Sequence, residues 1–424
     1  MRHYLVTLFA VIVFVFPWFA MSYPAQTHSF LNELRTIGNQ LASVILSHNP
    51  KTVDAIRSRY NGDKPFSSRS QAKKVRILLV PGHEPNYGGA EFGSLKERNM
   101  TVELAADLRD YISKNDRYEI FVSRDHDSWQ PIFADYFKTH ADAINVWQKA
   151  HKEEIINLAR LGEYKRTTPA VFHNEAPTDV ALRLYGIDKW SNENDIDIIL
   201  HIHFNDYRRP SWTASGVYSG FSIYVPEKQY FNSTTTNVLA QTIFKRLEKY
   251  NAVSDLPGEK TGIIEDQDLI AVGSYNSVNA ASMLIEYGYI YEPQFADETI
   301  RTLAIKDLAY QTYLGLQDFF DDKRDEDLEH SYESALLPYV WSKVIDEKTV
   351  SPDVFTLQTA LLMDGVYPPK EKNKNDCPRT GMIGMCTKTA LEVFQNKYRI
   401  TGEKGTVGPK TIEVLNKVYG SRTM

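Results

Sequence analysis

The stretch IDIILHIHFND, from Ile196 to Asp206, restricts the fold of this chain more than any other. Its run of Ile and Leu is too short for a buried helix and reads as a strand covered on both faces. Strand side chains repeat with a period of two, so His201 and His203 point to the same face. Buried imidazoles need partners, either hydrogen-bonded neighbours or a bound ligand.

The sequence around this strand alternates in the same way. VRILLVPGH, YEIFVSRD, GFSIYVP and AASMLIEYGYI read as further strands. NMTVELAADLRDYISKN, TTTNVLAQTIFKRLEKYN and RTLAIKDLAYQTYLGLQDFF read as amphipathic helices between or after them. Apolar strands alternating with helices predict an α/β domain over 75–322, with a mostly parallel sheet flanked by helices. From about 126 to 178 the alternation stops. That stretch is helix-like and rich in aromatics, and predicts a helical insertion. Two roles fit it: restricting access to a site or gripping a ligand through Trp129, Phe133, Tyr136 or Trp147, or simple packing on the outside of the domain.

The N-terminus has one Arg, then an apolar run from Leu5 to Met21, then small residues. It predicts a secretory signal over 1–22, with an uncut membrane anchor as the alternative. Residues 23–74 read as a helix and linker, with apolar spacing through Leu31, Leu34, Ile37, Leu41 and Ile45. The charge-dense stretch 323–336 reads as a solvated linker, and a second domain follows over 337–424. The net charge of −6 argues against nucleic acid as a partner, because neutralising phosphates needs a basic face.

Ligands of open α/β sheets collect beyond the carboxyl ends of the strands. The polar residues there are His83 after the first strand, His201 and His203 on the central strand, and Glu286 on the last. Glu97 stands just before a helix. Two His and a Glu with an open position make a hydrolytic zinc pattern, and a further carboxylate would serve as base. Each residue alone has a plainer reading. His83 caps a turn, Glu97 favours a helix N-terminus, His203 is a hydrogen-bonded core histidine, and Glu286 is half of an ion pair. Their common placement at strand ends is what favours a site.

The same residues carry a resemblance. VPGHEPNYGG…GSLKERN, LHIHFND and MLIEYGYIYEP resemble the motif blocks of the zinc-dependent N-acetylmuramoyl-L-alanine amidases (the Amidase_3 group), and VSRD resembles the Thr-Arg-Asp after that family's second strand. The resemblance implies that His83, Glu97 and His203 are zinc ligands and Glu286 the catalytic carboxylate. It also implies that the substrate is peptidoglycan, cut at the amide between the lactyl group of N-acetylmuramic acid and L-alanine. His201 stands where the family has Ser, which makes it a hydrogen-bonding neighbour of the ligands or a competitor for the metal. The family's Arg and Pro before the last strand are not evident, but no ligand is missing.

Near the C-terminus, TGMIGMCTKTALEVFQ and KGTVGPKTIEVL share the pattern G-x-apolar-G-x-x-T followed by a helix. Thr387 and Thr411 stand where N-caps are expected. This region resembles the peptidoglycan-binding domain 1 family, a three-helix wall-binding module. Cys377 and Cys386 are the only cysteines. In an exported chain they predict a disulfide, against the alternative of two free thiols.

The expected function is thus a secreted or periplasmic, wall-associated zinc amidase. The alternatives are a wall-binding scaffold with a weak or inactive amidase fold, and a zinc peptidoglycan carboxypeptidase.

Overall fold

The histidine strand lies at the middle of the sheet. In the computed structural model, which describes residues 49–62, 73–173, 175–272, 279–320, 333–342, 345 and 347–420, β5 (Ile198–Asn205) runs between β1 (Val75–Pro81) and β8 (Ala281–Tyr289), parallel to both. The six-stranded order is β4-β1-β5-β8-β6-β7, with β4 spanning Tyr118–Val122, β6 Ser222–Pro226 and β7 Ile263–Asp266. β4 is parallel to β1 and β7 parallel to β6, while β6 runs antiparallel to β8. The fold is therefore the expected α/β class, with one antiparallel contact that the sequence reading did not specify. β7 was not anticipated either.

Alternation along the strands feeds two cores. Ile77, Leu79, Leu200, Ile202 and Ile285 face one side. There they pack with α2 (Glu97–Ile112), α6 (Ser233–Tyr250) and, after the single turn α7 (Pro293–Ala296), α8 (Glu298–Phe319), through Leu104, Ile243 and Leu308. Leu78, Val80 and Ile199 face the other side, against Phe133, Phe137, Ile144 and Trp190. These come from α3 (Pro131–Thr139), α4 (Ala141–Leu161) and α5 (Thr178–Glu193). Burying each such side chain stabilises the fold by about 1.5–3 kcal/mol before chain entropy is counted.

The helical insertion is thus a layer of the domain. Of the four residues expected as possible ligand grips, Phe133 and Tyr136 are buried in the core against the sheet, and Trp129 and Trp147 are half-buried beside them. α5 continues that layer beyond the expected end at 178.

Upstream, α1 (Val53–Asn61) begins at the N-cap Thr52, which accepts from Ala55 N at 3.1 Å. Its Arg59 pairs with Asp195 and Asp197. The expected signal over 1–22 and the helix read through Leu31–Ile45 lie outside the described residues. Among the described residues no helix is long and apolar enough to cross a membrane.

At the C-terminus α9 (Pro352–Met363), α10 (Met385–Lys397) and α11 (Pro409–Tyr419) enclose a core of Trp341, Leu357, Leu361, Leu391, Phe394 and Leu415. The repeated G-x-apolar-G-x-x-T pattern now has a physical reason. Gln358 Nε2 donates to Met382 O and Thr387 Oγ1, both at 3.0 Å, while its carbonyl accepts from Thr380 N and Gly381 N. Gln395 repeats this on Thr406 O, Thr411 Oγ1 and Gly405 N. Thr387 and Thr411 are therefore not N-caps. Gly384 and Gly408 hold those positions, and the threonines sit in the first turn facing inward. Cys377 and Cys386 are joined by a disulfide, with Cα atoms 5.9 Å apart.

The helical unit packs directly on the α/β domain. Phe355 and Leu336 belong to the larger core. Arg379 Nη2 donates to the buried Asp307 at 2.9 Å, and Asn375 Nδ2 donates to Ser219 and Val253 carbonyls. Of the stretch read as a solvated linker, 323–332 lies outside the described residues. Its end is anchored: Ser334 is buried and donates to Asp307, and Glu333 pairs with Arg246 and Lys249.

Candidate metal centre

β1 ends at Pro81, and the chain turns through Gly82 into His83, whose φ of 69° lies in the left-handed region. A non-glycine residue held there costs about 1–3 kcal/mol. Arg124 holds the turn from beneath. Buried, it donates to Pro81 O at 3.1 Å, to Gly82 O, and to Arg98 O at 2.9 Å. Burial lowers its guanidinium to about 10, which leaves it charged at neutral pH. The VSRD resemblance therefore marks a support for the turn that presents His83.

Glu97 is the first residue of α2, at the helix end where the backbone dipole favours a carboxylate. A short antiparallel hairpin, β2 (Glu91–Phe92) with β3 (Leu95–Lys96), delivers it. Glu97 Oε2 accepts from Ala90 N at 2.7 Å, and Oε1 accepts from Phe204 N at 3.1 Å. The second of these ties the helix start to β5 just after His203.

The three side chains converge. His83 Nε2 lies 2.8 Å from Glu97 Oε1, and His203 Nδ1 lies 3.1 Å from the same oxygen. Their ligand atoms all fall within 4.8 Å of one another. His83 Nε2 is buried without a hydrogen-bond partner, though it faces the carboxylate. An orphaned imidazole nitrogen beside a carboxylate and a second imidazole is what a shared cation would satisfy.

Electrostatics supports this arrangement. Burial alone would raise the Glu97 carboxyl, but His83 and His203 together hold it well below the usual range. Burial pushes His203 down, against the pull of Glu97. The cluster thus offers a carboxylate held in its anionic form and an imidazole whose hold on a proton is weakened by burial, both of which favour metal binding.

His201 is buried on the same face. Its Nε2 has no partner, and burial, then the nearby His203, lower its imidazole to about 3. It stands outside the three-residue cluster. Glu286 pairs in register with His203 across the β5–β8 ladder. Its Oε2 is buried without a partner. Burial, followed by the charges of Glu97 and Glu259, raises its carboxyl well above the ordinary value.

Three features escaped the sequence reading. Gly82 and Gly89 leave room for the imidazoles: a Cβ on Gly82 would fall 2.3 Å from the His203 ring, and one on Gly89 2.8 Å from the His83 ring. The glycines beside the PGH and GG letters were the only available signal. The third feature is Glu259, a fully buried carboxylate that accepts from Asn205 Nδ2 at 3.0 Å, Tyr224 OH at 2.6 Å, Tyr289 OH at 3.1 Å, and Ser254 Oγ. It fixes the residue two beyond His203, and no pattern in its loop announced it.

The insertion also reaches the site's border. Glu84, next to His83, accepts from Trp129 Nε1 at 3.0 Å and from Arg183 Nε at 2.7 Å.

A mostly parallel α/β sheet with a His-Glu-His cluster at its carboxyl edge defines the class of metal-dependent hydrolases. The chain belongs to the N-acetylmuramoyl-L-alanine amidase family, whose model matches residues 77–318. Solved structures to which the chain is similar include an N-acetylmuramoyl-L-alanine amidase from Clostridium difficile 630, with 16% identity, 59% of this chain and 99% of that one covered, and a TM-score of 0.37. The CwlD amidase from Clostridioides difficile, in complex with the GerS lipoprotein, gives 18%, 58%, 99% and 0.38. Ami1 from Mycobacterium smegmatis gives 12%, 59%, 100% and 0.39. No curated protein sequence matches the chain.

Proposed function

We propose that the chain is a zinc-dependent amidase that hydrolyses the bond between the lactyl group of N-acetylmuramic acid and L-alanine in peptidoglycan. The observation that carries the reading is the convergence of His83, Glu97 and His203 on one point, within a domain of the amidase family. Two imidazoles and one carboxylate suit zinc better than magnesium or calcium, which prefer oxygen donors alone. Bound there, zinc would polarise the scissile carbonyl and lower the pKa of a water to about 7.

The chain's own groups do the rest. Glu286, with its raised proton affinity, takes a proton from the attacking water and returns it to the departing amine nitrogen. Glu97 and the β5 backbone hold His203 in place through the Phe204 N–H. His201, buried and neutral, stays outside the ligand cluster on the same face of the strand. The C-terminal helices act as the wall-binding part, and the protein works outside the cytoplasm.

The deciding experiment incubates the full chain with purified sacculi, with and without chelator, and identifies the products. An amidase releases whole stem peptides in a chelator-sensitive way. Release of single amino acids would mean a carboxypeptidase, and binding without release a scaffold.

A further inference from the structure

β5 runs out at Asn205 into the loop 206–220, and the first part of that loop is rigidly built. Arg209, whose side chain is only 8% exposed, grips Asp206 with two nitrogens, both at 2.8 Å. It also donates to Trp212 O at 2.7 Å and Glu91 O at 2.8 Å, and its guanidinium stacks over Phe92 and Tyr291. Gly93 N adds a bond to Trp212 O at 3.4 Å. The loop is thereby fastened to the hairpin that delivers Glu97.

Despite this anchoring, the loop turns its large rings outward. Trp212 is 64% exposed and Tyr207 39%. Tyr207 stands edge-on to Tyr218, with ring centroids 4.8 Å apart. Together with Arg208, Ser211, the Pro257–Gly258 turn and Phe172, itself 82% exposed, they line an open groove. Arg208 is exposed and makes no ion pair among the described residues. Large rings grouped along one groove and rimmed by polar groups form the kind of contiguous exposed patch that marks an interaction site. Pre-ordering also removes part of the entropic cost of binding.

The geometry points to this groove as the seat of the glycan strand of peptidoglycan, with Tyr207 and Trp212 against sugar faces and Arg208 and Ser211 on the hydroxyl and N-acetyl groups; this rests on the substrate class proposed above. A pyranose ring has an apolar C–H face and a polar rim. It matches flat aromatic rings set among hydrogen-bonding groups better than a purely apolar or purely ionic ligand does. The groove is open, as a polymer requires, and its loop begins at Asp206, just past the His203 end of β5. Seating the strand there requires it to extend along the end of β5 to the metal cluster, where its lactyl ether would carry the amide. Of the insertion's aromatic residues, Phe133 and Tyr136 are buried and unavailable, and Trp129 and Trp147 are half-buried against the same core.

The test measures binding of the full chain to peptide-free glycan strands and, separately, product release from sacculi. Tyr207→Ala with Trp212→Ala should weaken glycan binding at least ~10-fold relative to wild type. Tyr207→Phe with Trp212→Phe should stay within ~3-fold, because the flat faces remain. Both proteins should melt near the wild-type temperature. Wild-type-like binding by the alanine pair, or equal loss in both pairs, overturns the groove. Product release decides the reading beneath it. Aromatic-dependent glycan binding without amide cleavage leaves a carbohydrate site on a protein that is not an amidase. Amide cleavage with aromatic-independent binding removes the groove alone.

Discussion

The His203 imidazole lies against Gly82, so closely that a Cβ there would fall 2.3 Å from its Cε1. The turn cannot back away, because Arg124 holds the Gly82 and Pro81 carbonyls and Gly82 N donates to Ile202 O at 2.8 Å. The ring must move instead. Gly82→Ala should therefore keep the fold and lose ~10–100-fold in metal affinity, the range typical of disturbed ligand supports. Metal titration against circular dichroism checks this; full metal affinity in a folded variant would refute it.

In the proposed mechanism the acidic and imidazole groups divide into those that hold the metal and one that moves a proton. His83→Ala, Glu97→Ala and His203→Ala should each lower zinc content and sacculus hydrolysis together. Glu286→Gln should keep the metal and lose ~10²–10⁴-fold in rate, since the role proposed for it is proton transfer. His201→Ser should keep metal and substantial activity, because His201 lies outside the ligand cluster. Zinc stoichiometry and hydrolysis measured on the same five proteins separate these outcomes. An empty site in His201→Ser would place His201 among the ligands.

Much of this site is legible in the sequence because period-two strands deliver its histidines. The run Ile196–Asp206 fixes both the buried strand and the common face of His201 and His203. The rest is illegible for identifiable reasons. β7, Ile263–Asp266, has four residues and two acids, too few for a periodic signal. The direction of β6 depends on its partner, which no local pattern encodes. Glu259 sits in an irregular loop, and its importance comes from donors 54 residues before it and 30 after it, Asn205 and Tyr289. Thr387 and Thr411 look like caps locally, yet their partners Gln358 and Gln395 lie on the preceding helix.

Glu259 should be among the most sensitive positions away from the metal ligands. Its removal orphans donors on Asn205, Tyr224, Ser254 and Tyr289, each costing about 1–3 kcal/mol when left buried and unpaired. Glu259→Ala is expected to lose at least ~3 kcal/mol. Glu259→Gln, which keeps one acceptor oxygen, should lose less. Urea unfolding of the three proteins checks the order, and an alanine variant as stable as wild type contradicts it.

Acid should loosen the connection ahead of the C-terminal helices. Partial burial would raise the Glu333 carboxyl, but hydrogen bonds from Lys249 and Arg246 hold it down at about 2. A depressed carboxylate adds stability that is present above its unfolded value near 4.5 and fades as pH falls towards 2. The difference in melting temperature between wild type and Glu333→Gln should therefore be largest above pH 5 and shrink towards pH 2. A difference that is constant over this range would mean that charge has no part in it.

Arg379 and Asp307 join the disulfide-closed loop of the helical unit to α8, 2.9 Å apart and nearly inaccessible to water. Arg379 also donates to Thr359 Oγ1 at 2.8 Å and lies over the rings of Tyr250 and Phe355. Asp307 further accepts from Ser334 Oγ and Ala335 N. Losing one partner strands a buried charge, while losing both to apolar groups does not. Arg379→Met should thus destabilise by ~3–5 kcal/mol, and Asp307→Leu by a similar amount. The double variant should recover much of the loss, giving a coupling of opposite sign to the single effects. Calorimetry of the four proteins measures the cycle. It should also show wild type melting in one transition, because Phe355 and Leu336 share the core of the α/β domain. Additive losses with two separate transitions would show instead that the helical unit and the catalytic domain fold independently.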